Sequence, residues 1–103
     1  RVHWAEKAKL TRAARKRALY ASIEALQGRR PPGWTKAKME VKAFFKTRNF
    51  PDPDNLTASM KSSIDGIADS GIIDNDKSLW PERPVFEKDT KNPRIEITIT
   101  VEE

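Results

Sequence analysis

The sequence contains no cysteine, a single histidine and only four glycines. Without cysteine there is no disulfide framework, no thiolate zinc site and no thiol nucleophile, a composition compatible with a reducing cytoplasm. The histidine, His3, lies far along the chain from every acidic cluster, so a histidine-based hydrolytic centre has little support. No glycine-rich phosphate loop occurs. No run approaches the ~20 apolar residues of a membrane span, and no signal peptide is visible. Acids are scarce in the first half: residues 1–50 carry 14 Lys or Arg against 3 acids, whereas residues 51–103 carry 6 against 12.

That segregation underlies the net charge of +5. A basic half followed by a cluster of aspartates points to a polyanionic partner such as nucleic acid. At 103 residues the chain is one domain, 1–103. A domain of this size buries only roughly 60 to 70% of its unfolded surface, so a partner subunit would help it. The apolar residues are periodic rather than scattered, which argues against disorder.

The periodicities give two helices and three strands. From about Leu10 to Gln27 there is neither Pro nor Gly, and Gly28 follows as a stop. On a helical wheel Leu19, Ile23 and Leu26 share a stripe that Arg12, Arg15 and Lys16 extend toward the N-terminus. After the Arg29–Gly33 loop, Ala37, Met39, Val41, Ala43 and Phe45 alternate with polar residues in a strand pattern, Phe44 being the lapse. A second helix, opened by Asp54 or a neighbour, runs to about Ser70 with Leu56, Met60, Ile64 and Ile67 as its buried stripe. Gly66 inside it costs about 1 kcal/mol against Ala and permits close packing. Residues 84–88 and 94–102 read as further strands.

Two acidic turns bracket that second helix, Asp52-Pro53-Asp54-Asn55 before it and Asp74-Asn75-Asp76 after it. Asp52 and Asp54, at i and i+2 in extended chain, point to one side and can reach one ion. Oxygen ligands of this kind suit a hard divalent cation, Mg²⁺ or Mn²⁺. Such a cation lowers the pKa of a bound water and neutralises charge on a phosphodiester. If the chain folds back after Gly71, Asp76 becomes the third ligand, with the three carboxylates within roughly 8 Å of one another. Lys61 is then placed to stabilise the charge of a phosphorane. The same residues are also good turn and N-cap chemistry. An EF-hand starting at Asp74 is ruled out, because its sixth position is Leu79 and its twelfth Val85.

Taken in order, Asp52-Pro53-Asp54-Asn55-Leu56, Lys61, Asp65-Gly66-Ile67, Gly71-Ile72-Ile73 and Asn75-Asp76 resemble the signature of the RusA-like Holliday junction resolvases, many of them phage- or prophage-encoded. The resemblance is close over residues 51–77 and loose elsewhere. It implies a small α+β domain, a mixed sheet packed against two helices, that works as a homodimeric, Mg²⁺- or Mn²⁺-dependent endonuclease of branched double-stranded DNA and resolves four-way junctions in recombination and repair, in the cytoplasm of a bacterial host. The catalytic carboxylates carry over to Asp52, Asp54 and Asp76 and the catalytic lysine to Lys61, with Asn55, Asp65 and Asp74 in support. Two departures stand out. The stretch from Asn55 to Lys61 is longer than in the founding member, and the family's Asp-Asp reads Asn75-Asp76, which leaves Asp74 as the alternative third ligand. The family's first strand is expected upstream of residue 1.

Arg12, Arg15, Lys16, Arg17, Arg29, Arg30, Lys36, Lys38, Lys42 and Lys46 are the expected phosphate contacts, which position DNA without reading its sequence. Trp80 and Phe50 are expected chiefly in the core or a dimer interface, with a wedge at an opened junction as the other reading. The competing function is a non-catalytic basic nucleic-acid-binding module whose acidic turns are structural.

Overall fold

The computed structural model describes residues 1–7 and 13–102. Its elements are β1 (Val2–Lys7), α1 (Ala14–Leu26), β2 (Ala37–Phe45), α2 (Pro53–Ser59), α3 (Lys61–Ser70), a 3-10 turn (Asp76–Ser78), β3 (Leu79–Pro81), β4 (Val85–Lys88) and β5 (Arg94–Val101). The fold is therefore α+β with a mixed sheet, as expected. It has three described helices rather than two, and β1 and β3 are strands the sequence pattern did not reveal. No helix among the described residues is long and apolar enough to cross a membrane.

The sheet is organised around β2. β5 pairs antiparallel with β2 on one side and with β1 on its own far side. On β2's other side, β3 pairs parallel with its first residues and β4 parallel with its last. Ala37, Met39, Val41 and Ala43 of β2, Ile95, Ile97 and Ile99 of β5, and Val2 and Trp4 of β1 all face the core. The expected alternation lapses at Phe44, which is buried on the opposite face. There the Arg94 guanidinium covers its ring at 3.8 Å, a cation–π contact. Asp89 and Glu96 hold that guanidinium at 2.8 and 2.6 Å.

The buried stripe of α1 departs from the expectation. Ala14, Ala18, Ser22 and Leu26 are buried, while Leu19 is half-buried and Ile23 is 50% exposed. Gly66 of α3 is the cause. A Cβ there would collide with the Arg15 carbonyl oxygen and lie 2.9 Å from the Ala18 Cβ, so the helices meet backbone to backbone through their small residues. An interface that close has no room for Leu19 and Ile23, whereas Leu26, the third residue of the expected stripe, is buried.

The second expected helix is broken at Met60, whose φ of −85° and ψ of −1° end α2 and begin α3. Side-chain hydroxyls account for the break: Thr57 Oγ1 donates to Pro53 O at 3.0 Å and Ser59 Oγ to Leu56 O at 2.7 Å. Such bonds compete with the backbone ladder and bend helices. The expected stripe holds in outline, with Leu56, Met60 and Ile67 buried and Ile64 half-buried. Gly71 closes α3 at φ 87°, the left-handed conformation expected of its stop.

Candidate functional site: two acidic turns and a cationic loop

Asp52 caps α2. Its Oδ1 accepts the Asp54 N–H at 2.8 Å, and Pro53 takes the first helical position, where no N–H is needed. Asp52, Asp54 and Asn55 are exposed. The turn is positioned by Phe50, which is half-buried: its ring stacks on Phe86 at 5.3 Å and tilts against Phe45 at 5.9 Å. Phe45 is the last residue of β2, so this turn belongs to the C-terminal end of that strand.

The second turn is anchored elsewhere. Gly33 N–H donates to Gly71 O at 2.8 Å, Trp34 N–H to Ile72 O at 2.9 Å, and Asp74 N–H to Trp34 O at 3.0 Å. These bonds tie residues 71–74 beside the approach to β2. Within the turn, Asn75 Oδ1 accepts the Lys77 N–H at 2.8 Å, and the Ser78 hydroxyl donates to an Asp74 carboxylate oxygen. Asp74 is exposed and Asp76 half-buried, and α3 packs against the 3-10 turn.

The two turns therefore lie toward opposite ends of β2, whose nine residues span about 26 Å at the usual strand rise. The chain does reverse after Gly71, but Asp76 precedes β3 beside the start of β2, and only β4, farther along the chain, reaches the end of β2 near the Asp52 turn. Among the described residues no three His, Asp or Glu side chains form a group that could hold a metal ion. The expected convergence of Asp52, Asp54 and Asp76 is thus not realised within one chain, and Mg²⁺ or Mn²⁺ has no complete set of side-chain ligands there. Asp65 is half-buried on α3, and Lys61 is exposed at that helix's first residue.

Three of the basic residues have partners that fix them. Arg15 grips Asp69 through Nε at 2.8 Å and Nη2 at 3.1 Å. The hydrogen bond to Asp69 raises the Arg15 pKa, and its reciprocal holds the Asp69 carboxyl below the usual value. Arg29 closes the end of α1, its Nε donating to Leu26 O at 2.9 Å and its Nη2 to Ala25 O at 3.3 Å. Lys38 lies 3.5 Å from Glu40. Lys16, Arg30, Lys36, Lys42 and Lys46 are exposed, and Arg17 is half-buried. Arg12 lies outside the described residues.

The sheet face away from the helices is polar. Arg1, His3, Lys38, Lys42 and Arg83 share an open recess of about 560 Å³ with Glu40, Glu82 and Glu96, so its charge is mixed. Beside Arg29, Arg30 and Trp34 is a smaller cleft of about 160 Å³ that also takes in Arg1, Leu26 and Pro32 and has no acidic side chain in its lining.

Three residues go beyond the sequence reading. Asp69 is the partner of Arg15, and no spacing rule shows which helices will pack. Trp34 bridges to Ile73 and so fixes the second acidic turn. Trp80, expected chiefly in the core or an interface, is 71% exposed. The alternation of Leu79 and Trp80 at a sheet edge carries that last signal, since Leu79 takes the buried position opposite Ala37 and leaves Trp80 on the other face.

No family model matches the sequence. An uncharacterized protein of Xylella fastidiosa is 33% identical over 109 residues, covering 97% of this chain and 65% of that protein. The chain spans 65% of that relative's length, and the likeness brings no activity with it.

Proposed function

We propose that the protein is a RusA-like, structure-selective endonuclease that works as a homodimer on four-way DNA junctions and requires Mg²⁺ or Mn²⁺. The motif from Asp52 to Asp76 suggests the reaction. The observation that carries the reading is the stapling of the loop bearing Arg29 and Arg30 to residues 71–74 by three backbone hydrogen bonds. Cations that can hold a DNA backbone thereby adjoin an acidic turn. In this reading Arg30, Lys16 and Lys36 position phosphates, while Asp52, Asp54, Asp76 and Lys61 serve cleavage.

The scattered carboxylates favour a second reading, a module that binds nucleic acid without cutting it. One assay separates the two. A synthetic four-way junction is incubated with the protein in Mg²⁺, in Mn²⁺ and in EDTA. Paired nicks in strands of like polarity, present with either metal and absent in EDTA, support the endonuclease. Binding with no nick under any of the three conditions leaves the binding module.

A further inference from the structure

We propose that the Trp80 indole is a stacking platform for an unpaired nucleobase, with Lys36 and Lys77 taking the phosphates that flank it. This deepens the junction-endonuclease reading and rests on it for the identity of the ligand. The side chain is 71% exposed, yet its backbone is fixed. Leu79 is buried opposite Ala37, Trp80 pairs with Lys38 and Pro81 with Met39, and the Glu82 N–H donates to Met39 O at 2.8 Å. A rigid strand therefore holds a large apolar ring out in water.

The surroundings narrow the ligand. Trp80 borders an open recess of about 470 Å³ whose lining includes Lys36, Lys77, Glu82 and Glu102. The recess is close to neutral, so it lacks the excess positive charge to bind a run of phosphates. It suits a neutral planar ring whose two adjoining phosphates each meet one ammonium group. Single-stranded nucleic acid has that chemistry, because every base presents a π-face while the backbone carries the charge. Position agrees as well. Trp80 follows the Asp74–Asp76 turn after only three residues, so a base stacked there lies beside an acidic turn implicated in cleavage. Branch points supply unpaired bases, which an intact duplex does not.

Stacking and phosphate contact leave different signatures. Stacking releases no counterions, so its loss lowers affinity by the same factor at every salt concentration. Loss of one phosphate contact instead reduces the salt slope by about 0.7 to 0.9. The test measures binding of wild type, Trp80→Ala, Trp80→Phe and Lys36→Ala to a thymidine-only single strand and to a four-way junction across a salt series without divalent metal. Junction cleavage is followed separately. Trp80→Ala is expected to weaken binding to both DNAs roughly tenfold with the slope unchanged. Trp80→Phe should retain most of the affinity, and Lys36→Ala should flatten the slope. If Trp80→Ala binds both DNAs as wild type does, or its loss is confined to the slope, the stacking role is overturned even if junctions are still cut. If wild type cuts no junction but Trp80→Ala still loses the single strand, the platform stands and the endonuclease reading falls. If wild type binds neither DNA, both fall.

Discussion

Asp69 on α3 holds the Arg15 guanidinium of α1 in a two-point grip, Nε to Oδ2 at 2.8 Å and Nη2 to Oδ1 at 3.1 Å. The pair links the two helices that meet at Gly66, and it determines how one expected DNA contact behaves. The Asp69 carboxyl titrates below its usual value of 3.8 because of Arg15. A group with a depressed folded-state pKa contributes stability that is fully present above its unfolded value and lost as pH falls through the folded one. Asp69→Asn should therefore be less stable than wild type near neutral pH, by a small amount because the pair is at the surface. The two proteins should converge once pH is below the carboxylate range. Urea midpoints across an acid pH series check this, and a constant offset at all pH values would contradict it.

Gly66→Ala sets two effects against each other. Alanine gains about 1 kcal/mol of helix propensity, but its methyl would collide with the Arg15 carbonyl oxygen and crowd the Ala18 Cβ at 2.9 Å. One obstacle is backbone, so relief requires α1 to move, and overpacking of that kind costs about 1 to 3 kcal/mol. Net destabilisation is expected from the denaturant midpoint. A stabilised variant would show that the helices are further apart than described.

What the sequence made legible follows from how local each signal is. The alternation in β2 and β5 identifies the inward residues because a period of two is set by the strand itself. The stop at Gly71 and the cap at Asp52 are equally local. In α1 apolarity marks burial only at Leu26, because the close approach at Gly66 selects the smallest side chains, Ala14, Ala18 and Ser22, along the rest of the buried stripe. The break at Met60 is not legible in the apolar periodicity, which runs on through Leu56, Met60, Ile64 and Ile67, because it comes from the Thr57 and Ser59 hydroxyls bonding back to the ladder. Asp52 lies on the turn before the helix, whereas Asp54 is already in the first turn of α2, so the extended i, i+2 arrangement expected of the two carboxylates is not realised. Their distance from Asp76 was not legible, since it depends on β3 running parallel to β2, and parallel pairing is a property of topology.

Salt dependence should separate the committed cations from the free ones. Arg15 already has a carboxylate partner, so Arg15→Ala should change the slope of log affinity against log salt little. Lys16 and Arg30 are exposed, and neither has an ion-pair partner among the described residues. Each phosphate contact contributes about 0.9 to the slope on duplex DNA. The double variant Lys16→Ala with Arg30→Ala should flatten the slope by about 1.8. An unchanged slope would remove α1 and its following loop from the DNA interface.

Asp52 has a structural role that can be separated from its proposed catalytic one. Its Oδ1 accepts the Asp54 N–H at 2.8 Å, a cap that asparagine forms nearly as well and alanine cannot form. Asp52→Asn should therefore melt like wild type, and Asp52→Ala should lose about 1 kcal/mol. Both lose a negative charge from a surface that approaches phosphate, so junction binding should persist or tighten in each. Both should fail to cut in Mg²⁺, because neither leaves a carboxylate at this position. Comparing the two variants separates the roles: loss of cleavage in the stable Asp52→Asn protein cannot be blamed on a frayed α2. If Asp52→Asn cuts junctions at the wild-type rate, capping is the only role of Asp52, and the carboxylates that serve cleavage must be sought among Asp54, Asp65, Asp74 and Asp76.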